Sequence, residues 1–236
     1  MIIETSQFKI YFGDSTDAII KSRDCVISGI PLIQHEKYGL IAQKIGVSHM
    51  ALLNQTHSAQ GLLVADTIPA FDSDGDFLLT AVRGTGIGVL TADCLPIVLY
   101  DQKNHAAAVV HAGWRGSAQR ICSETITAMR NHFATDISDL KIFFGPSAKK
   151  CCYQVAADFP NNLNMFAYFL KVFSFQPNGL YFDLPLFNVL QLQEIGVGLE
   201  AISLAHNLCT ICDHRFFSYR RQAHASGRQM TIISLQ

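Results

Sequence analysis

Apolar and polar positions along the chain follow two periods, and the switches between them mark out the elements. Short, near-continuous apolar runs bounded by glycine or polar clusters predict buried strands at 76–82 (DFLLTAV), 86–91 (GIGVLT), 95–100 (LPIVLY), 105–110 (HAAAVV), 141–145 (KIFFG), 201–206 (AISLAH) and 230–235 (MTIISL). Behind Ser117, the residues Ile121, Thr125, Met129 and Phe133 recur at four-residue spacing, the stripe of an amphipathic helix. A second helix is expected over 185–195, with Pro185 in its first turn and Gly196 stopping it. Strands occur both as hairpins and singly between helices. That mixture predicts an α+β fold, a single domain over residues 1–236 made of mixed β-sheets packed with helices.

The polar tetrad DQKN (101–104) separates two of the runs and predicts a hairpin. Symmetric pairing about it opposes residues whose numbers add to 205, so Cys94 falls opposite His111. Directly opposed side chains share a face, with Cβ atoms about 4.5–5.5 Å apart. Such a pair suits two ligands of one metal ion, or a thiol and its base. Pro96, Val98, Ala107 and Val109 fall on that face, and Leu95, Ile97, Leu99, Ala106, Ala108 and Val110 on the other. Both faces are apolar, so the sheet is expected to be covered on both sides. Its strand ends would then lie in a water-poor cleft where a thiolate and an imidazole interact strongly.

Composition narrows the class of molecule. With 236 residues, 49% of them hydrophobic, the chain can bury a substantial core. A formal charge of −1 offers no basic surface for nucleic acid. The N-terminus, MIIETSQFKIYFGDS, lacks the basic and apolar regions of a secretory signal. No apolar run reaches the ~18 residues that span a bilayer, and MFAYFLKVFSF is interrupted by Lys171. The expectation is a cytoplasmic protein, monomer or homodimer, without nucleic-acid or membrane partners. Seven cysteines (25, 94, 122, 151, 152, 209 and 212) lack the spacing of a disulfide scaffold, so reduced thiols are expected. C-T-I-C at 209–212 reads as structural because no second C-x-x-C accompanies it, and the vicinal Cys151 and Cys152 carry no functional signal.

Chemistry concentrates at one end of the hairpin, where Asp93 precedes Cys94 and His111-Ala-Gly-Trp-Arg-Gly closes the second strand. Glycines there let the backbone approach a ligand, and Arg115 offers a planar fork to phosphate or carboxylate, while Trp114 reads as packing. Catalytic metal sites commonly use three protein ligands and an open fourth position. Spacing alone leaves His57, His35, His49 and His214 equal as the third.

The blocks NQTHSAQG, DGDFLLT with LTADCLPIVLYD, AVVHAGWRG, GPSAKKCCYQV, YFDL and FFSYRRQAHASGRQM stand in this order over roughly residues 50 to 236. In them the chain resembles the laccase-domain family. Its members were first labelled multicopper polyphenol oxidases and are now described as purine nucleoside enzymes, with a peptidoglycan-editing role proposed for some bacterial members. The resemblance implies an α+β fold and a zinc site on His57, Cys94 and His111. Two departures stand out: the family's N-terminal F-T-T-R-x-G-G-V-S segment is replaced here by FKIYFGDSTDAI, and Ala148 and Lys149 stand where isoleucine and glycine are usual.

Zinc held by two imidazoles and one thiolate keeps a net positive charge and lowers the pKa of a coordinated water toward ~7. That suits deamination at C6 of adenine, with Asp93 as the candidate proton shuttle. The H-x-E and P-C-x-x-C signature of the cytidine and tRNA-adenosine deaminases is absent. The resemblance further implies phosphorolysis, with a purine nucleoside and phosphate as substrates. Arg115 and Arg220 are candidate phosphate anchors, and Phe216 and Phe217 candidate stacking partners. One three-ligand set fits a multicopper oxidase poorly, although copper binds such ligands more tightly than zinc. Two other readings compete: a cysteine hydrolase or amidase using Cys94 as nucleophile and His111 as base, and a non-catalytic zinc-binding protein.

Overall fold

In the computed structural model, which describes residues 1–19, 36–65, 67 and 69–236, fourteen strands are distributed over two large sheets and one small one. The candidates Cys25 and His35 lie outside the described residues. In chain order the strands are β1 (Ile2–Glu4), β2 (Phe8–Phe12), β3 (His49–Ala51), β4 (Gly61–Val64), β5 (Phe77–Thr80), β6 (Thr85–Thr91) and β7 (Leu95–Asp101). They continue as β8 (Ala106–Ala112), β9 (Leu140–Phe144), β10 (Gln154–Val155), β11 (Phe173–Gln176), β12 (Gly179–Phe182), β13 (Ile202–Ser203) and β14 (Gln229–Leu235). The described α-helices are α1 (Glu36–Ile45), α2 (Trp114–Ala118), α3 (Ile121–Phe133), α4 (Leu184–Glu194) and α5 (Tyr219–Gln222).

One large sheet has the order β1-β2-β14-β6-β3 and the other β13-β9-β7-β8-β5-β4, each mixing parallel and antiparallel pairs. Three apolar layers hold the stack together. Phe8, Ile10, Ile87 and Ile233 of the first sheet meet Leu78, Val98, Val109 and Tyr100 of the second. The second sheet's opposite face, with Leu95, Ile97, Leu99 and Val110, packs on Ile126 and Met129 of α3 and Phe187 of α4. The first sheet's outer face receives Ile41 and Ile45 of α1. The result is the expected α+β class, layered helix, sheet, sheet, helix. Among the described residues no helix is long and apolar enough to cross a membrane.

The predicted pairing of 94 with 111 is corrected by the register. Pro96 lies opposite His111 and Asp101 opposite Ala106, so opposed numbers add to 207 rather than 205. The cause is local: Asp101 belongs to β7, and its carboxylate accepts the backbone N–H groups of Lys103 (3.0 Å) and Asn104 (2.9 Å) and the Asn104 amide (2.8 Å). His105 closes the loop at φ 52. The turn is therefore 102–105, one residue later than the DQKN tetrad. A slip of two residues preserves the alternation of faces, so Cys94 and His111 stay on one side of the hairpin as diagonal neighbours.

Two other expectations change. The helix behind Ser117 is two helices, because Arg120 adopts φ 62. Its guanidinium reaches Glu194 of α4 at 2.7 Å and lies over the Phe166 ring, while Ser117 is buried against Asn188 of α4 at 3.1 Å. Of 201–206, only Ile202–Ser203 pairs, with β9. The second predicted helix stands as α4, its N-terminus capped by the Asp183 carboxylate, which accepts from Leu186 N–H at 3.0 Å.

Removing the Asp101 carboxylate by Asp101→Ala is expected to cost about 1 kcal/mol at neutral pH, because the N–H donors of the turn lose their acceptor. Burial opposes ionisation of Asp101, but the hydrogen bonds from Asn104 and Lys103 hold its pKa below the ordinary carboxylate value. Its contribution is thus complete above the unfolded-state pKa and disappears as pH falls through the folded one. Urea denaturation of both chains across the acid range measures it; equal stabilities at neutral pH would refute this account of the turn.

Candidate metal centre

Two crossings from the first sheet to the second meet at the end of the hairpin. The segment 52–60 links β3 to β4 and carries His57, while 92–94 links β6 to β7 and carries Asp93 and Cys94. His111 comes from β8. The ligand atoms of His57, Cys94 and His111 lie within 4.8 Å of one another. The Cys94 sulfur is 3.8 Å from His57 Nε2, and the two imidazoles meet edge to face with centroids 4.9 Å apart. Of the four histidines that spacing left equal, the structure brings His57 into this set. Two neutral imidazoles and a thiolate suit zinc or copper, with room for a fourth ligand from solvent or substrate.

One buried carboxylate orients both histidines. Asp76, 1% exposed at the head of β5, accepts His111 Nδ1–H at 2.7 Å, which fixes the tautomer and leaves Nε2 as the donor toward a metal. The same carboxylate accepts three consecutive backbone N–H groups, those of Thr56 (3.2 Å), His57 (3.0 Å) and Ser58 (2.7 Å), and the Ser58 hydroxyl at 2.8 Å. This cradle holds His57 at φ 62, a conformation that few non-glycine residues adopt without such support. Sequence reasoning read Asp76 as a strand residue; the available signal was an acid flush against the apolar run Phe77-Leu78-Leu79.

Charge follows from these contacts. Burial opposes ionisation of the Cys94 thiol, but the charge and hydrogen bond of His111, joined by those of His57, outweigh it and bring the pKa down to about 6. Burial likewise disfavours the His111 cation, yet the Cys94 charge and the hydrogen bond to Asp76 raise it to about 9. The carboxyl of Asp76 is held well below the usual range, with His111 overcoming its burial. Without a metal, the pair is a thiolate beside an imidazolium.

The HAGWRG glycines answer to close contacts. A Cβ on Gly113 would stand 3.0 Å from the Cys94 sulfur and 3.0 Å from the His57 ring, and one on Gly116 would stand 2.8 Å from the Ser58 carbonyl. The donor set opens into a cleft of about 490 Å³ lined by Arg115, Arg220 and Arg228 and by Trp114, Tyr153 and Tyr219. Among the described residues Arg115 makes no ion pair; it lies over the Trp114 ring at 4.5 Å. Arg220 stacks on Tyr153 at 4.9 Å and donates to the Gln154 carbonyl at 2.6 Å. Phe216 and Phe217, the expected stacking partners, are not among the lining residues; Tyr153, Tyr219 and Arg228 were missed as linings.

Asp93 borders the cleft at φ 83 with both carboxylate oxygens engaged. It accepts from Thr210 Oγ1 at 2.7 Å, Ser218 Oγ at 3.0 Å and Arg220 N–H at 2.7 Å. No residue of the departing N-terminal stretch 8–19 lines the cleft.

Residues 34–236 match the family described as multi-copper polyphenol oxidoreductase laccase. The chain belongs to this family. It is 32% identical to a purine nucleoside phosphorylase of Clostridium acetobutylicum over 205 residues, covering 79% of this chain and 77% of that one. It is also 32% identical over 207 residues to an adenosine deaminase from an unknown prokaryotic organism, covering 82% and 78%. The crystal structure of the hypothetical protein YfiH of Bacillus licheniformis superposes with a TM-score of 0.81 at 23% identity, over 97% of this chain and 93% of that chain, and shares the fold. The family's laccase title implies several copper ions with many histidines. Among the described residues only the His57, Cys94 and His111 cluster contains histidine.

Two measurements test the site. Asp76→Asn is expected to weaken metal binding by about 10–100-fold in competition with a chelator; unchanged affinity would remove Asp76 from the centre. In metal-free protein, iodoacetamide at pH 7 is expected to label Cys94, with a rate that rises through about pH 6, while Cys122, which burial pushes up to about 12, stays unreactive. Added zinc should protect Cys94.

Proposed function

We propose that this chain is a single-domain, zinc-dependent purine nucleoside enzyme that cleaves adenosine, inosine and methylthioadenosine with phosphate and also deaminates adenosine. The observation that carries the reading is the opening of a three-residue donor set into a cleft that also presents cationic and aromatic side chains. The names of the two relatives agree with it. His57, Cys94 and His111 would hold a zinc ion, which would supply the Lewis acidity that hydrolytic replacement of the amino group at C6 of adenine needs.

The chain's own residues supply the rest. Arg115, without an ion-pair partner among the described residues, and Arg220 receive the phosphate, whose oxygen bonds to C1′ of the ribose as the bond from C1′ to the purine breaks. The electron pair leaves with the base, which must take up a proton or a hydrogen bond. Burial, reinforced by the Cys94 charge, pushes the Tyr153 phenol well above its ordinary value, so it remains protonated and can donate to the departing ring. Asp93, expected from sequence to shuttle a proton, has both oxygens occupied by protein donors; in this reading it is a positioning residue that holds the start of α5 and so Arg220.

A second reading draws on the thiolate and imidazolium pair, which is the resting state of a cysteine hydrolase. Metal dependence separates the two. Base release from inosine that requires both phosphate and bound zinc, and ammonia release from adenosine that requires zinc alone, are expected. Turnover that persists in chelator with a covalently modified Cys94 would establish the hydrolase instead. Arg115→Ala is expected to raise the KM for phosphate by about 10–100-fold, the loss of one charge-assisted contact, with the KM for the nucleoside little changed. Equal effects on both would place Arg115 away from phosphate.

A further inference from the structure

The C-T-I-C segment and the vicinal cysteines, separated by 57 positions in sequence (152 to 209) and unremarkable there, meet in space. The sulfurs of Cys151, Cys152, Cys209 and Cys212 all lie within 4.8 Å of one another, and those of Cys151 and Cys212 are 3.9 Å apart. A tetrahedral zinc with bonds of about 2.3 Å sets its sulfurs about 3.8 Å apart. Clusters of several irons hold their cysteine sulfurs farther apart than this group allows.

The backbone is arranged for the same purpose. Ser147 and Cys209 form a parallel bridge, with Ser147 N–H donating to the Leu208 carbonyl and Thr210 N–H to the Ser147 carbonyl, each at 3.0 Å. Lys149 Nζ donates to the Asn207 carbonyl at 2.9 Å, clamping the two segments on their other side. Cys151 and Cys212 are exposed, which gives a cation a path in.

We propose that these four cysteines form a second metal site, a closed four-thiolate zinc centre that joins segment 145–155 to segment 207–213. Its ligand count makes it structural, because four protein ligands leave no position for substrate. Its place makes it relevant to the cleft. One joined segment carries Tyr153, which lines the cleft, and the other carries Thr210, whose hydroxyl holds Asp93. The centre is argued from its own cysteines and stands apart from the reaction assigned to the first site.

Zinc content and cobalt spectra test it, on full-length protein purified in reductant and freed of loose metal. The intact chain is expected to retain about two zinc ions, and Cys94→Ser about one. Cobalt added to metal-stripped Cys94→Ser should give intense sulfur-to-cobalt bands in the near ultraviolet and the red d–d bands of a tetrahedral four-thiolate ion. These should vanish in a chain carrying Cys94→Ser with Cys209→Ser and Cys212→Ser. Because the deciding spectrum comes from a chain whose four cysteines are intact, misfolding of the triple variant does not decide the matter. Cys94→Ser protein that binds no cobalt through sulfur, or a Cys151 to Cys212 disulfide in the reduced preparation, would overturn the proposal. So would bands that survive the loss of Cys209 and Cys212.

Discussion

The carboxylate of Asp76 is the constraint on which the candidate metal centre depends. It lies at the head of a fully buried strand, where an unpaired charge would be prohibitively costly, and it is satisfied because an imidazole, three backbone N–H groups and the Thr56 and Ser58 hydroxyls converge on it. That convergence sets the tautomer of His111 and the left-handed backbone of His57 together. Two ligands from distant parts of the chain are thereby tied to one group that need not touch a metal at all. The thiol of Cys94 then falls into an environment already biased toward the thiolate.

Layering explains why these residues can meet. Two sheets face each other across an apolar layer, and the chain must pass from one to the other more than once. The passages from β3 to β4 and from β6 to β7 bring His57 and Cys94 to a common end, and the hairpin of β7 and β8 delivers His111 to it. Loops on a rigid scaffold are where chemistry concentrates, because the strands fix their ends while their side chains remain free to converge. Asp93 repeats the Asp76 device on the opposite wall, collecting Thr210, Ser218 and the backbone of Arg220. Thr210 stands between Cys209 and Cys212 of the four-cysteine cluster. The cleft thus has an acid-anchored donor set and an acid-anchored cationic rim, each held by buried hydrogen bonds rather than by surface ion pairs.

Much of the scaffold was legible along the chain. The runs that became β6, β7, β8 and β14 are buried on both faces and so are near-continuously apolar, the strongest strand signal a sequence carries. Short strands such as β10 and β13 were missed or overdrawn because two residues cannot display a period. The turn was misplaced by one residue because the acceptor role of Asp101 depends on where its carboxylate points. Arg120 divided a helix that its stripe alone would have continued, since Glu194 and Phe166, which hold it, are far away in sequence.

By itself the sequence determined the α+β class, the face that Cys94 and His111 share and, through its ordered blocks, the family, since these follow from periods and from the order of blocks along the chain. Only the tertiary structure decided the register, the role of Asp76, the engagement of Asp93, the aromatic lining and the meeting of four cysteines. Apart from the register, which the local turn at Asp101 sets, each of these is a contact between segments remote along the chain. Burial makes such contacts energetically decisive, and no local pattern records them, because the cost of an unpaired buried charge or donor is set by whatever the fold happens to place beside it.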